Sequence, residues 1–146
     1  MKFIFSWVMI NKLAVGNAPH DERNIEVLKQ KGIKSVLSLC SEEEISNHKN
    51  TNSMFKCERI VLPDHKSIKK LTLNDLLTTL DKLSVLLENG PTFVHCHASI
   101  ERSPLVCIAW LVQKEKIKPE FALNHLMNVH PLTCPLSDQL NLLKEM

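Results

Sequence analysis

Arginine is scarce in this chain: of 146 residues only Arg23, Arg59 and Arg102 carry a guanidinium, and the net charge is +2. Extended nucleic-acid binding needs a cluster of cations and usually interleaved aromatics, so this composition argues against it. Long apolar runs are missing too. No stretch approaches the roughly 18 to 20 residues of a membrane-spanning helix. The opening "MKFIFSWVMINK" is brief, aromatic and lacks a small-residue cleavage site, and reads as a first strand rather than a secretory signal. The five cysteines (Cys40, Cys57, Cys96, Cys107, Cys134) include no CxxC pair. An odd number in mostly apolar surroundings is the pattern of reduced thiols, with no disulfides expected and a cytoplasmic location. Repeats, linkers and low-complexity tracts are absent. Residues 1–146 are therefore expected to form one domain, with 44% apolar content to build a core.

What is present is an alternation of strand and helix patterns. "FSWVMI" and "KLAVG" suit two antiparallel strands, and "DERNIEVLKQKG" a helix capped by Asp21 and ended by Gly32. "IKSVLSLC" reads as a strand, and "SEEE" as a capping box in which Ser41 and Glu44 start a short helix. "MFKCERIVLP" is a further strand, "DHKSIKK" a basic loop, and "TLNDLLTTLDKLSVLLENG" a long amphipathic helix. The buried strand "TFVHC" then leads to a largely buried helix, "RSPLVCIAWLVQKEK", and two more helices follow. The predicted fold class is α/β: a central, mostly parallel sheet of about five strands flanked by helices on both faces.

The segment "HCHASIERSP" at 95–104 carries the chemistry. Five cysteines and three arginines among 146 residues would give a Cys-x5-Arg pair by chance roughly one time in ten. Requiring His before the cysteine and Ser or Thr after the arginine lowers this to roughly six in ten thousand. A strand that turns directly into a helix aims several backbone amides and the positive end of the helix dipole at one spot, which suits a phosphate dianion. Arg102 can grip two phosphate oxygens with its planar fork. The same field acts on sulfur: a free thiol with pKa about 8.5 is only about 3% thiolate at pH 7, and a helix N-terminus with a nearby arginine raises that fraction. Cys96 thus becomes a candidate nucleophile.

These residues resemble the His-Cys-x5-Arg-Ser/Thr phosphate-binding loop of the cysteine-dependent protein tyrosine phosphatase superfamily, and especially its small dual-specificity branch. "KLAVGNAP", "LKQKGIKSVLSL", "VLPDH" and "HPLTCPLSDQLNLL" stand in that family's order and at about its intervals. The resemblance implies a dual-specificity phosphatase-like fold and hydrolysis of phosphomonoesters, phosphotyrosine and also phosphoserine and phosphothreonine, through a phosphocysteine. It implies Cys96 as nucleophile, Arg102 as phosphate clamp, Asp64 of "VLPDH" as general acid, and Ser103 as hydrogen-bond donor to the departing thiolate. His97, Ala98, Ser99, Ile100, Glu101 and Arg102 would form the phosphate cradle, and His95 would orient it and help hold the sulfur as an anion. Tyrosine-specific relatives deepen their pocket with an aromatic loop. This chain has no tyrosine, which implies a shallower pocket and the dual-specificity assignment.

The expected partners are a phosphorylated protein or a small phosphoester, with no nucleic acid, no membrane, no cofactor and no metal, and a monomeric state. "HCH" is not read as a metal site, because adjacent residues seldom converge on one ion. A cradle without lysines also argues against multiply phosphorylated inositides.

Blander roles stand beside the sharp ones. Asp64 could be a turn residue and Ser103 a helix cap. His65 reads as a solvated loop residue, Gln139 as a surface helix glutamine, and Cys40 and Cys107 as core thiols. Two departures from the family pattern stand out: Ser99 where most members have glycine, and Glu101 before the arginine. Both occur in the loop of the rhodanese-fold cell-cycle phosphatases, where the glutamate would share the proton transfer. The alternative functions are a catalytically weak, phospho-binding pseudophosphatase and a rhodanese-like or arsenate-reductase-like thiol enzyme.

Overall fold

The computed structural model of the chain describes residues 2–45 and 51–146. Strand β1 (Phe5–Met9) and strand β2 (Leu13–Asn17) form an antiparallel hairpin, with Asn11 in the left-handed region at its turn. Helix α1 (Glu22–Gln30) follows, capped by the Asp21 carboxylate, which accepts from the Asn24 amide, and Gly32 turns the chain at φ +84°. Next come strand β3 (Ser35–Ser38), helix α2 (Thr51–Met54) and strand β4 (Lys56–Arg59). Helix α3 (Leu73–Asn89) begins at a capping box formed by Thr72 and Asp75. Strand β5 (Thr92–Cys96), helix α4 (Arg102–Gln113), helix α5 (Pro119–Val129) and helix α6 (Ser137–Leu143) complete the order.

The sheet runs β1-β2-β5-β3-β4, with only β1 antiparallel to its neighbour. The expected mostly parallel five-stranded sheet is therefore present. Two details differ. The capping box at Ser41 and Glu44 forms, but it closes a turn at 42–44, and the remainder of the expected short helix falls at 46–50, outside the described residues. Met54, read as the start of a strand, closes α2 instead, and β4 begins two residues later.

Parallel strands buried on both faces need an apolar layer on each. On one side Leu76, Leu80 and Leu83 of α3, the whole inner length of α4, and Ala122 and Leu126 of α5 pack on Val15, Leu37 and Val94. On the other, Ile25 and Leu28 of α1 pack with Phe55, Val36 and Phe93. The Phe93 ring stacks on Phe5 at 5.7 Å and an interplanar angle of 6°. Fully burying a large aliphatic side chain is worth about 1.5–3 kcal/mol, so these two layers dominate stability. Gly16 is where the sheet admits no side chain: a Cβ there would run into the Ile4 carbonyl oxygen.

The topology gathers the candidate residues. Strands β2, β5, β3 and β4 all end at the same edge, and β5 lies between β2 and β3. The connections after β3, β4 and β5 consequently open onto one place, the common ligand position of open α/β sheets.

Candidate active site

Cys96 is the last residue of β5 and is 3% exposed. Residues 97–101 turn the chain into α4, whose first residue is Arg102. The backbone amides of residues 98–101 meet no acceptor among the described residues. They lie between the sulfur and the N-terminus of a twelve-residue helix, the setting in which free amides and the helix dipole serve an anion. Cys96 Sγ lies 3.3 Å from Ser103 Oγ. The expected alternative for Ser103, capping α4, does not occur: the cap position falls at Glu101, and the Ser103 hydroxyl meets Cys96 and Ser99.

His95 is buried, and its Nδ1 lies 3.3 Å from the Cys96 carbonyl oxygen, to which it donates. Burial pushes its pKa down to about 4, against the opposing effect of that hydrogen bond. The imidazole is neutral at physiological pH. It acts on the loop through the Cys96 carbonyl and brings no positive charge to the sulfur.

Arg102 is buried, and its donors can be counted. NH1 donates to Glu44 Oε2 at 3.1 Å and to the Leu62 carbonyl at 3.3 Å, and NH2 donates to Glu44 Oε1 at 2.9 Å. A guanidinium has five N–H groups. The two left over, on Nε and NH2, meet no acceptor among the described residues and share one edge, a second fork. Glu44 therefore holds the end of the guanidinium while the side edge is left to grip an oxyanion. Burial opposes the charge of Arg102, but the Glu44 hydrogen bonds outweigh it and raise its pKa further.

Glu44 is the residue that sequence reasoning missed. Its carboxylate accepts from the Ser41 amide, as the capping box requires, and from Arg102 as well. The segment carrying it is tied down from β4, because Arg59 donates to the carbonyls of Cys40 and Ile45. The Arg102 hydrogen bond, partly countered by burial, holds the Glu44 carboxyl below the ordinary carboxylate range. The folded chain thus binds this proton more weakly than the unfolded chain does. The stabilisation is complete above the unfolded carboxylate pKa of about 4.3 and is lost as pH falls through the lower folded value. Denaturant midpoints of the parent and Glu44→Gln proteins are expected to differ at pH 7 and to converge toward pH 3.

Asp64 lies on the exposed loop after β4. Its Oδ1 accepts from the Lys66 amide at 2.9 Å and from Ser67 Oγ at 3.2 Å. Slight burial favours the protonated form, but these bonds and the Arg102 charge prevail and keep the carboxyl below its usual pKa. Glu101 is engaged on both oxygens: Gln139 Nε2 donates to Oε1 at 2.7 Å, and His65 Nδ1 lies 3.1 Å from Oε2. Gln139, expected on the surface, is 5% exposed and also accepts from the Leu136 amide at 2.9 Å. It fixes Glu101 from the last helix. His65 keeps its solvent exposure yet links the Asp64 loop to the cradle. Cys40 and Cys107 are core thiols, and burial pushes Cys40 up to about 12.

Ser99 adopts φ +60°, the left-handed region that favours glycine. Its hydroxyl is 3.0 Å from both Ser103 Oγ and His130 Nε2. The residues converge on a pocket of about 400 Å³, walled by Cys96, Arg102, Asp64, Glu44, Glu101 and His97. No cluster able to hold a metal ion occurs among the described residues, and no helix among them is long and apolar enough to cross a membrane.

The comparisons with known proteins agree with this fold. The family described as "Dual specificity phosphatase, catalytic domain" matches residues 13–146. Among curated proteins, dual specificity protein phosphatase 4 of Gallus gallus is 27% identical over 123 residues, 84% of this chain and 31% of its own. Dual specificity protein phosphatase 1-A of Xenopus laevis is 27% identical over 124 residues, 84% of this chain and 32% of its own. The chain thus spans about a third of the length of the curated relatives it matches. Among solved structures, the active form of Tk-PTP superposes with TM-score 0.81 at 19% identity, covering 97% of this chain and 94% of that one. PTPMT1 in complex with PI(5)P gives 0.81 at 18%, covering 97% and 92%. A buried cysteine closing the central strand, an arginine opening the next helix and a match over residues 13–146 lead to one assignment: the chain belongs to the dual-specificity phosphatase catalytic-domain family.

Proposed function

We propose that residues 1–146 act as one catalytic domain that hydrolyses phosphomonoesters through a phosphocysteine, on a phosphorylated protein or a small phosphoester. The observation that carries this reading is the Cys96 sulfur in a pocket whose polar wall combines the free edge of Arg102 with the amides of residues 98–101. In the first step the Cys96 thiolate forms a bond to phosphorus as the ester P–O bond breaks, and Asp64 gives its proton to the leaving oxygen. In the second, the Asp64 carboxylate takes a proton from water as that water attacks phosphorus. The S–P bond breaks, inorganic phosphate leaves, and Ser103 donates to the restored thiolate. The reaction uses no metal and no organic cofactor.

Asp64 is preferred over Glu101 as the acid because Glu101 is committed to Gln139 and His65. Asp64→Asn is expected to reduce kcat about 10²- to 10⁴-fold, the range for a general acid. The sign of the pH effect follows from Asp64 being held below the usual carboxylate pKa. Activity should decline as rising pH removes its proton, giving an acidic optimum, and Asp64→Asn should lose that declining limb. The measurement is hydrolysis of a generic aryl phosphate across pH, followed by a panel of phosphotyrosine, phosphoserine and phosphothreonine peptides, nucleotides and phosphoinositides. A folded, reduced protein that binds phosphate without turnover would sink the reading and favour a pseudophosphatase.

A further inference from the structure

The Cys96 sulfur ends a hydrogen-bonded chain that extends well beyond Ser103. From Sγ the steps are 3.3 Å to Ser103 Oγ, 3.0 Å on to Ser99 Oγ, and 3.0 Å from there to His130 Nε2. That same Nε2 is 2.7 Å from the Ser99 carbonyl oxygen, and His130 Nδ1 is 2.9 Å from Ser6 Oγ on β1. Ser99, Ser103 and His130 are each buried to within 1% of complete.

The carbonyl sets the direction of the chain. It can only accept, so Nε2 carries a proton and donates it, with the Ser99 hydroxyl oxygen as second acceptor of the same N–H. Ser99 is then free to donate to Ser103, and Ser103 to the sulfur. Burial, against the Ser99 contact, lowers the pKa of His130. The imidazole is neutral, and its bare Nδ1 accepts from Ser6. Every donor past His130 points toward Cys96, and a sulfur that receives a hydrogen bond is favoured as thiolate over thiol. The side chain at Ser99 is the middle link. It is retained at a φ of +60° where a glycine would be unstrained.

We infer that Ser99 and His130 are positioning residues that orient the Ser103 hydroxyl as a donor to Cys96 and thereby hold the sulfur as a thiolate. The inference rests on the phosphocysteine reading only for its kinetic consequence. Other groups near Cys96 are Arg102 and the Cys107 thiol on α4, the Cys40 thiol after β3 and His95 on β5, with Glu44, Asp64, His65, Lys66, His97, Glu101 and Cys134 on the pocket wall. Substitution at 99 or 130 changes none of their charges.

The test is the pH dependence of Cys96 alkylation by iodoacetamide, resolved by peptide mass spectrometry so that the exposed Cys134 is counted apart. Ser99→Gly removes the hydroxyl while relieving the backbone, so the fold is kept. The alkylation midpoint is expected to rise by about one pH unit, the scale of one hydrogen bond to a charged group. His130→Ala should raise it likewise, and His130→Gln, whose amide can still donate to the Ser99 carbonyl, should restore part of the difference. An unchanged midpoint in folded Ser99→Gly overturns the inference, even if His130→Ala proves too unstable to assay. Alkylation needs no turnover. A parent protein inactive on aryl phosphate but with a midpoint that shifts in Ser99→Gly would defeat the phosphatase reading and leave this inference standing.

Discussion

Cys96→Ser is expected to bring aryl phosphate hydrolysis down to background, a loss on the order of 10⁴-fold or more, while the fold and phosphate binding persist. Losses of this size accompany removal of a nucleophile. A serine hydroxyl stays un-ionised at neutral pH and is a far weaker nucleophile than a cysteine sulfur. The amides of 98–101 and the free edge of Arg102 are untouched, so the variant should still bind inorganic phosphate or vanadate by calorimetry. Turnover above one hundredth of the parent rate would contradict a cysteine nucleophile.

The second large effect is expected from Arg102→Lys, a fall in kcat/KM of about 10³-fold, within the range for removing an arginine that stabilises a transferring phosphoryl group. The charge is conserved, so the loss tests geometry. One edge of the guanidinium is engaged by Glu44 while the adjacent edge is left for phosphate. A lysine ammonium is a single point that cannot meet both, and Glu44 would compete with substrate for it. Steady-state kinetics on the aryl phosphate should show the loss in kcat as well as KM. A change confined to KM would mean that Arg102 contributes binding alone.

Much of the candidate site's arrangement was legible because its parts lie close in sequence. His95, Cys96, Arg102 and Ser103 fall within nine residues, and a strand pattern leading straight into a helix pattern already implies an anion cradle. The alternation of periods likewise implied the parallel sheet. Glu44 was hidden for the opposite reason: its partner is 58 residues away, and the capping box at Ser41 is a complete local explanation for a glutamate there. Gln139 was concealed in a helix of seven residues with little periodicity to show an inner face. Ser99 was conspicuous as a departure from glycine, but its partner His130 comes from the end of α5, and no spacing rule connects the two.

Cys96 and Asp64 stand on different kinds of structure, a central strand and a loop after β4. The sulfur ends a strand paired on both sides, and its hydrogen-bond partner Ser103 is itself buried. Asp64 rides on an exposed loop that also carries Lys66, Lys69, Lys70 and the fully exposed Ile68. In the proposed reaction, substitutions on that loop and at the exposed Leu132 and Leu136 are expected to change which esters are accepted, while Cys96 stays buried at the end of β5.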